Sequence, residues 1–184
     1  MASSKRFLAI PVALGAFVLM AALATSAPAK ASTPSGAQLK ALERTLLHSH
    51  ELWATIDVCD PADQPSTIGI RGSMPGDGRA HDSMYMSFRL QYMNASGRWV
   101  NLAGGASSGF VAVGTGASAR QGGTSFELQP VAGRPAVTLR GVVDFQWRRG
   151  KTVIVSGAEP TTAAHKSLAG ADPEGYSAAS CIIG

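Results

Sequence analysis

The hydrophobic pattern of this chain changes period once. In "SGAQLKALERTLLHSH" the residues Leu39, Leu42 and Leu46 fall at i, i+3 and i+7, with Lys40, Glu43 and Arg44 off that stripe. This spacing predicts one short helix packed on a core, and Ser35 followed three residues later by Gln38 fits a capping box at its start. Beyond it the period falls to two. "LWATIDVC", Leu52 to Cys59, reads as a first strand, ended by the turn-rich "DPADQP". In "MYMSFRLQYM" the residues Met84, Met86, Phe88, Leu90 and Tyr92 alternate with Ser87, Arg89 and Gln91, the signature of a half-buried strand. "NASG" turns the chain into "RWVNLAG", which predicts a hairpin.

The segments "GFVAVG", "TSFELQP", "AVTLRGVVDFQWRR" and "TVIVSG" follow, each closed by Gly or Pro, and "YSAASCII" reads as a final strand. Val143, Phe145 and Trp147 alternate with Asp144, Gln146 and Arg148, and "RRGK" returns the chain into Thr152 to Val155, a hairpin with one apolar face. About eight short strands without alternating helices predict an all-β, antiparallel immunoglobulin-like β-sandwich with one short N-terminal helix, and a closed barrel is the competing architecture. Gly114 to Gly123 shows no helical stripe and reads as a flexible connector.

The N-terminus adds a compartment. Lys5 and Arg6 precede the uncharged run Phe7 to Ala24, and small residues with A-x-A character follow, which reads as a secretory signal. Cleavage after Ala31 leaves Ser32 first; cuts after Ala27 or Ala24 are alternatives. The run approaches the length of a membrane anchor, but Pro11 and Gly15 inside it favour removal. No Cys follows it to carry a lipid. The expected organisation is therefore a signal peptide over 1–31, a polar linker over 32–36 and a β-sandwich domain over 37–184.

Removal of the signal changes the charge. The full chain has 16 basic and 12 acidic residues. Lys5, Arg6 and Lys30 leave with the signal, so the mature chain is close to neutral and a nucleic-acid partner is not expected. Cys59 and Cys181 are the two cysteines, and in an oxidising compartment they have only each other to pair with. Such a bridge requires the first and last strands to meet, as they do in an immunoglobulin-like sandwich. The antibody arrangement of Cys, Trp and Cys is absent, since Trp53, Trp99 and Trp147 fall elsewhere.

Two enzyme fingerprints occur close together. Gly105 to Gly109 satisfies G-x-S-x-G around Ser107, and Gly114 to Ala119 satisfies G-x-G-x-x-A. Ser107 is followed by a strand where a nucleophile elbow needs a helix, so a serine hydrolase using Ser107 with Asp144 and His165 is the weaker alternative. No helix begins at the second motif either, so no cofactor is expected. His48, His50, His81 and His165 fall in no metal-binding pattern. Asn94-Ala95-Ser96 matches a glycosylation acceptor and reads first as a hairpin turn.

The one local basic cluster, Arg148, Arg149 and Lys151 at the tip of the Trp147 hairpin, is the candidate contact surface. Trp147, Arg148 and Arg149 would offer charge and apolar area to an anionic partner such as a cell-envelope polymer, or to another secreted protein. A second surface is the Gly-rich exposed loop expected over Gly69 to Asp82, which would serve a secreted inhibitor or small-ligand carrier. "ELWATIDVCD", "TIGIRGSMPG", "VVDFQWRRGK" and the terminal "DPEGYSAASC" together resemble small secreted bacterial β-sandwich proteins of immunoglobulin-like character and unassigned function. That resemblance implies export, a sandwich and a disulfide, and it brings no catalytic residue. The expected function is a non-enzymatic binding or structural module, secreted to or beyond the cell envelope and free of the membrane after signal cleavage.

Overall fold

Ser35 Oγ accepts from the Gln38 N–H at 3.3 Å, and Gln38 Oε1 accepts from the Ser35 N–H at 2.7 Å. The capping box therefore closes, and helix α1 runs Gly36–Leu47, with Leu46 buried and Leu42 and Leu47 resting on the core. The structure, a computed structural model, describes residues 35–104, 106–129, 133, 135–165 and 168–184. The predicted signal peptide lies outside these residues, as does most of the predicted linker. Ser35 and Gly36, expected in that linker, belong instead to the helix and its cap.

Among the described residues nine strands follow, against the eight or so expected: β1 Trp53–Cys59, β2 Thr67–Met74, β3 Arg79–Met93, β4 Trp99–Asn101, β5 Ser107–Gly116, β6 Arg120–Glu127, β7 Val137–Arg149, β8 Thr152–Pro160 and β9 Cys181–Ile183. All pair antiparallel. One sheet has the order β1-β2-β6, and the other has β4-β3-β7-β8, with β5 beside β3 and β9 beside β7. The architecture is all-β with one helix.

The two sheets share one core. Ile56, Ile68 and Ile70 of the smaller sheet meet Met86, Phe88, Val143 and Phe145 of the larger, all at 1% exposure or less. The sheets approach closely because glycine stands at contact positions: a Cβ at Gly141 would lie 2.7 Å from Ile70 Cδ1, and one at Gly72 only 3.1 Å from Val143 Cγ1. Helix α1 lies against β8, where Leu47 occupies the space above Gly157.

The edge of β1 is covered by the chain between β8 and β9. Ile56 and Ala178 exchange N–H···O bonds of 2.9 and 3.0 Å, and the Thr162 and Asp172 N–H groups donate to the Ala54 and Asp57 carbonyls at 2.8 and 2.9 Å. An otherwise open strand edge is thereby paired. Cys59 at the end of β1 is bonded to Cys181 at the start of β9, with Cα atoms 5.6 Å apart. Because β1 and β9 lie in different sheets, the expected bridge ties the sheets together covalently.

Two segments expected as loops are strands. The span Gly69 to Asp82 holds most of β2 and the start of β3, leaving only Pro75 to Gly78 as the turn. The β2 strand is buried at seven of eight positions, so it shows no alternation for the sequence to reveal. The span Gly114 to Gly123 is likewise the end of β5, a tight turn and the start of β6, which carries the chain from one sheet to the other. Gly122 there is a packing position: a Cβ would lie 3.0 Å from Val113 Cγ1 and 3.3 Å from Met86 Sδ.

Candidate functional site

Alternation along β3 and β7 determines what the larger sheet presents to solvent. With Met84, Met86, Phe88 and Leu90 turned inward from β3, and Leu139, Val143, Phe145 and Trp147 inward from β7, the side chains between them point outward. Tyr85, Arg89 and Gln91 thus share a face with Arg140, Asp144, Gln146 and Arg148. These strands are direct neighbours, with Tyr85 opposite Gln146 and Gln91 opposite Arg140.

The face is organised around three guanidinium groups. Arg148 lies over the Tyr85 ring at 3.9 Å and the Phe110 ring at 5.2 Å, and is held by Gln146 Oε1 at 2.8 Å from Nε. Arg89 donates to both Asp144 oxygens, at 2.9 and 3.3 Å, and to Asn101 Oδ1 at 2.9 Å. Arg140 lies over Trp99 at 4.5 Å and donates to Gln91 Oε1 at 2.8 Å. Burial first, and the charge of Arg89 second, push the Arg140 pKa down from its ordinary value. The second cause reports two cations sharing one field. Eight residues separate Arg140 from Arg148 on one strand, so the row extends about 26 Å at roughly 3.3 Å per residue.

Of the three residues expected to form the contact surface, only Arg148 is on this face. Trp147 is 0% exposed, and its Nε1 donates to the Pro75 carbonyl at 2.9 Å. Arg149 donates from Nε and Nη2 to the two oxygens of Asp82, at 2.9 and 2.6 Å, and Asp82 is itself 0% exposed. The expectation of a joint surface fails for a geometric reason: three consecutive strand residues cannot point the same way. Trp147 closes the core and Arg149 neutralises a buried carboxylate at its end.

That carboxylate has a second neighbour. Asp77 Oδ2 is buried with no hydrogen-bond partner among the described residues, and burial, followed by the neighbouring Asp82 carboxylate, raises the Asp77 pKa. Arg149 holds Asp82 below the ordinary carboxylate value. The pair is therefore best satisfied with a proton on Asp77. A raised folded-state pKa means that Asp77 stabilises the fold fully below its unfolded pKa and loses that contribution as pH rises through the folded value. Asp77→Asn, a neutral donor of the same shape, is expected to raise the unfolding midpoint at pH 7 by less than about 2–4 °C, because the side chain is partly exposed and solvent screens the effect. The gain should vanish near pH 3, below the ordinary Asp pKa of about 3.9. Thermal unfolding of both proteins across that range checks it, and a gain that persists at low pH would remove the proton from the account.

The hydrolase constellation is not brought together. Ser107 lies exposed on β5 opposite Arg89, Asp144 is engaged by Arg89, and His165 stacks on Trp53 of the smaller sheet with ring centroids 4.3 Å apart. Asp144 therefore stands on the larger sheet, and His165, between β8 and β9, rests on Trp53 of the smaller one. Burial lowers the His165 pKa, and its backbone N–H donates to Ser177 Oγ at 3.0 Å. Asn94 serves the β3–β4 turn, where its Oδ1 accepts from the Ser96 and Arg98 N–H groups at 3.0 Å each. Among the described residues no group of three or more His, Cys, Asp or Glu side chains is placed to hold a metal ion.

No protein-family model and no curated protein matches the chain. Among solved structures, the Pseudomonas fluorescens alkylpurine DNA glycosylase AlkC bound to DNA containing an abasic site analog is similar at 12% identity and a TM-score of 0.28. The match covers 60% of this chain and 28% of that one, and a likeness this shallow carries no argument about fold or activity.

Proposed function

We propose that this chain is an exported, non-enzymatic binding module with an immunoglobulin-like β-sandwich fold, whose larger sheet holds an extended anionic polymer of the cell envelope. The strand orders β1-β2-β6 and β4-β3-β7-β8 support the fold assignment. They correspond to strands A-B-E and C′-C-F-G of an immunoglobulin domain. The bridge departs from the antibody pattern, joining first and last strands instead of B and F. Export is supported by that disulfide, which is compatible with an extracellular location. Among the described residues no helix is long and apolar enough to cross a membrane.

One observation carries the binding assignment: the row Arg148, Arg89 and Arg140 on the solvent side of the larger sheet, interleaved with Tyr85, Phe110 and Trp99, with the Asp144 carboxylate paired to Arg89. Small molecules favour concave sites, whereas a row of charges extending about 26 Å along a strand suits a chain of repeating units. Guanidinium groups pair with oxyanions, and the aromatic rings supply apolar area beside them. For the inhibitor or carrier alternative, the span Gly69 to Asp82 offers only Pro75 to Gly78 as a turn, the rest being strand.

Binding of the exported protein to an array of anionic and neutral polysaccharides tests this reading. Retention on anionic polymers should fall with added salt. The double substitution Arg140→Ala and Arg148→Ala should weaken it at least about tenfold, whereas Lys151→Ala should change it less than about twofold, each tenfold step corresponding to about 1.4 kcal/mol. Equal retention on neutral polymers, or an unaffected double variant, would sink the assignment. Hydrolysis of an ester or glycoside panel that Ser107→Ala abolishes would replace it with the hydrolase reading.

A further inference from the structure

The other sheet carries a concave site on its outer side. A trough of about 390 Å³ opens between Arg71 on β2 and the glycine pair Gly122 and Gly123 on β6. In the strand register Gly123 stands directly opposite Arg71, so no side chain fills the space beside the guanidinium. Gln121 and Ser125 flank it two residues away on the same face, and both line the trough. Gly170, from the segment between β8 and β9, forms part of the wall, where a Cβ would stand 3.5 Å from Arg71 Nη2.

The guanidinium is fixed but not saturated. Asp57, 4% exposed, accepts from Arg71 Nε at 2.7 Å. Gly69 makes room for that carboxylate, since a Cβ there would lie 2.8 Å from Asp57 Oδ1. Among the described residues no protein acceptor meets Nη1 or Nη2, and the Arg71 side chain is 24% exposed. Two glycines thus build the arrangement, one admitting the carboxylate that orients Arg71 and the other leaving open the space its outer edge faces.

We propose that this trough is a second binding site, taking a small hydroxylated carboxylic acid of the sugar-acid class through its carboxylate. A guanidinium edge with two free N–H-bearing nitrogens matches the two oxygens of a carboxylate. Asp57 nearby balances the Arg71 charge, so the site takes a monoanion more readily than a dianionic phosphate, whose second charge has no cation to meet among the lining residues. The remaining lining, Gln121, Ser125 and the glycine backbone, offers hydrogen-bonding partners for hydroxyl groups. A volume at the small end of ligand pockets fits one sugar ring.

Titration of the full exported protein with D-glucuronate, followed by amide chemical shifts and calorimetry, tests the site. Saturable binding with shifts confined to Gly122, Gly123, Ser125 and Arg71 is expected, with glucose and glucose 6-phosphate at least about tenfold weaker. Arg71→Gln should abolish binding. Because that change leaves Asp57 unpaired, Ser125→Trp provides a second arm: Ser125 is exposed, the fold tolerates a larger side chain there, and the indole should block the trough with a loss of at least about tenfold. Absence of saturable binding, glucose binding as well as glucuronate, tighter binding of glucose 6-phosphate, or an unaffected Ser125→Trp variant would each overturn the proposal.

Discussion

Reduction of the Cys59–Cys181 bridge is expected to lower the midpoint of thermal unfolding by roughly 8–20 °C, from a loop-closure contribution of about 4–5 kcal/mol and about 2–4 °C per kcal/mol. The contribution is large because the bridge spans 122 residues and so restricts nearly the whole described chain when it unfolds. Its position adds to this. Strand β9 has three residues and pairs only Val137 to Leu139 of β7, yet it supplies Ile183 and Cys181 to the core at 4% and 2% exposure. Without the covalent tie to β1, so short a strand depends on three residue pairs and should open first. Unfolding followed with and without reductant, and in the Cys59→Ala, Cys181→Ala double variant, measures the effect. Amide exchange should show protection lost earliest at Cys181 to Ile183. Coincident transitions for oxidised and reduced protein would show that the bridge contributes nothing beyond the existing contacts.

The elements that the sequence disclosed are those with one wet face. On β3 and β7 apolar and polar residues alternate because Met86 and Phe145 enter the core while Arg89 and Gln146 meet water, and that contrast survives in the linear pattern. The β2 strand hides itself by the opposite circumstance. Asp57 and the chain from β8 to β9 cover the side that would otherwise be wet, and Gly69 and Gly72 read as loop residues although they stand where two side chains or two sheets come close. Glycine as a spacer and glycine as a turn are indistinguishable in one sequence. The same ambiguity concealed the β5–β6 corner.

The proposed polymer face was legible in part. Period two sets Arg89, Gln91 and Arg148 on the side opposite the apolar residues of their strands, whereas Arg140, next to Gly141, falls outside the alternation the sequence shows. What the pattern omits is that β3 and β7 are adjacent, a pairing of strands far apart in the chain that turns separate outward residues into one row. The sequence instead drew attention to neighbours along the chain, grouping Trp147, Arg148 and Arg149, which the strand distributes between the core, the solvent face and a buried carboxylate. The Arg71 trough left still less trace, because what defines it is missing side chains on one strand opposite a charge on another.

Trp147→Ala is expected to cost roughly 3–5 kcal/mol, the range for removing a large aromatic side chain from a packed core. Trp147 belongs among the largest fully buried side chains, and the substitution also strips the buried Pro75 carbonyl of the indole donor. Against a typical domain stability of about 5–15 kcal/mol, this is a third or more of the total. Trp147→Phe separates the two contributions: it keeps most of the ring volume and loses the hydrogen bond, so a cost of about 1–3 kcal/mol is expected. Equilibrium denaturation should show both as shifts in midpoint with unchanged slope, since neither variant alters the surface exposed on unfolding. Polymer retention below each midpoint should be unchanged in Trp147→Phe, the converse of Arg148→Ala, which should weaken retention while moving stability little. If Trp147→Phe lost retention at unaltered stability, the indole would be touching the polymer, and β7 would have to present Trp147 outward, together with every second residue from Leu139 onward.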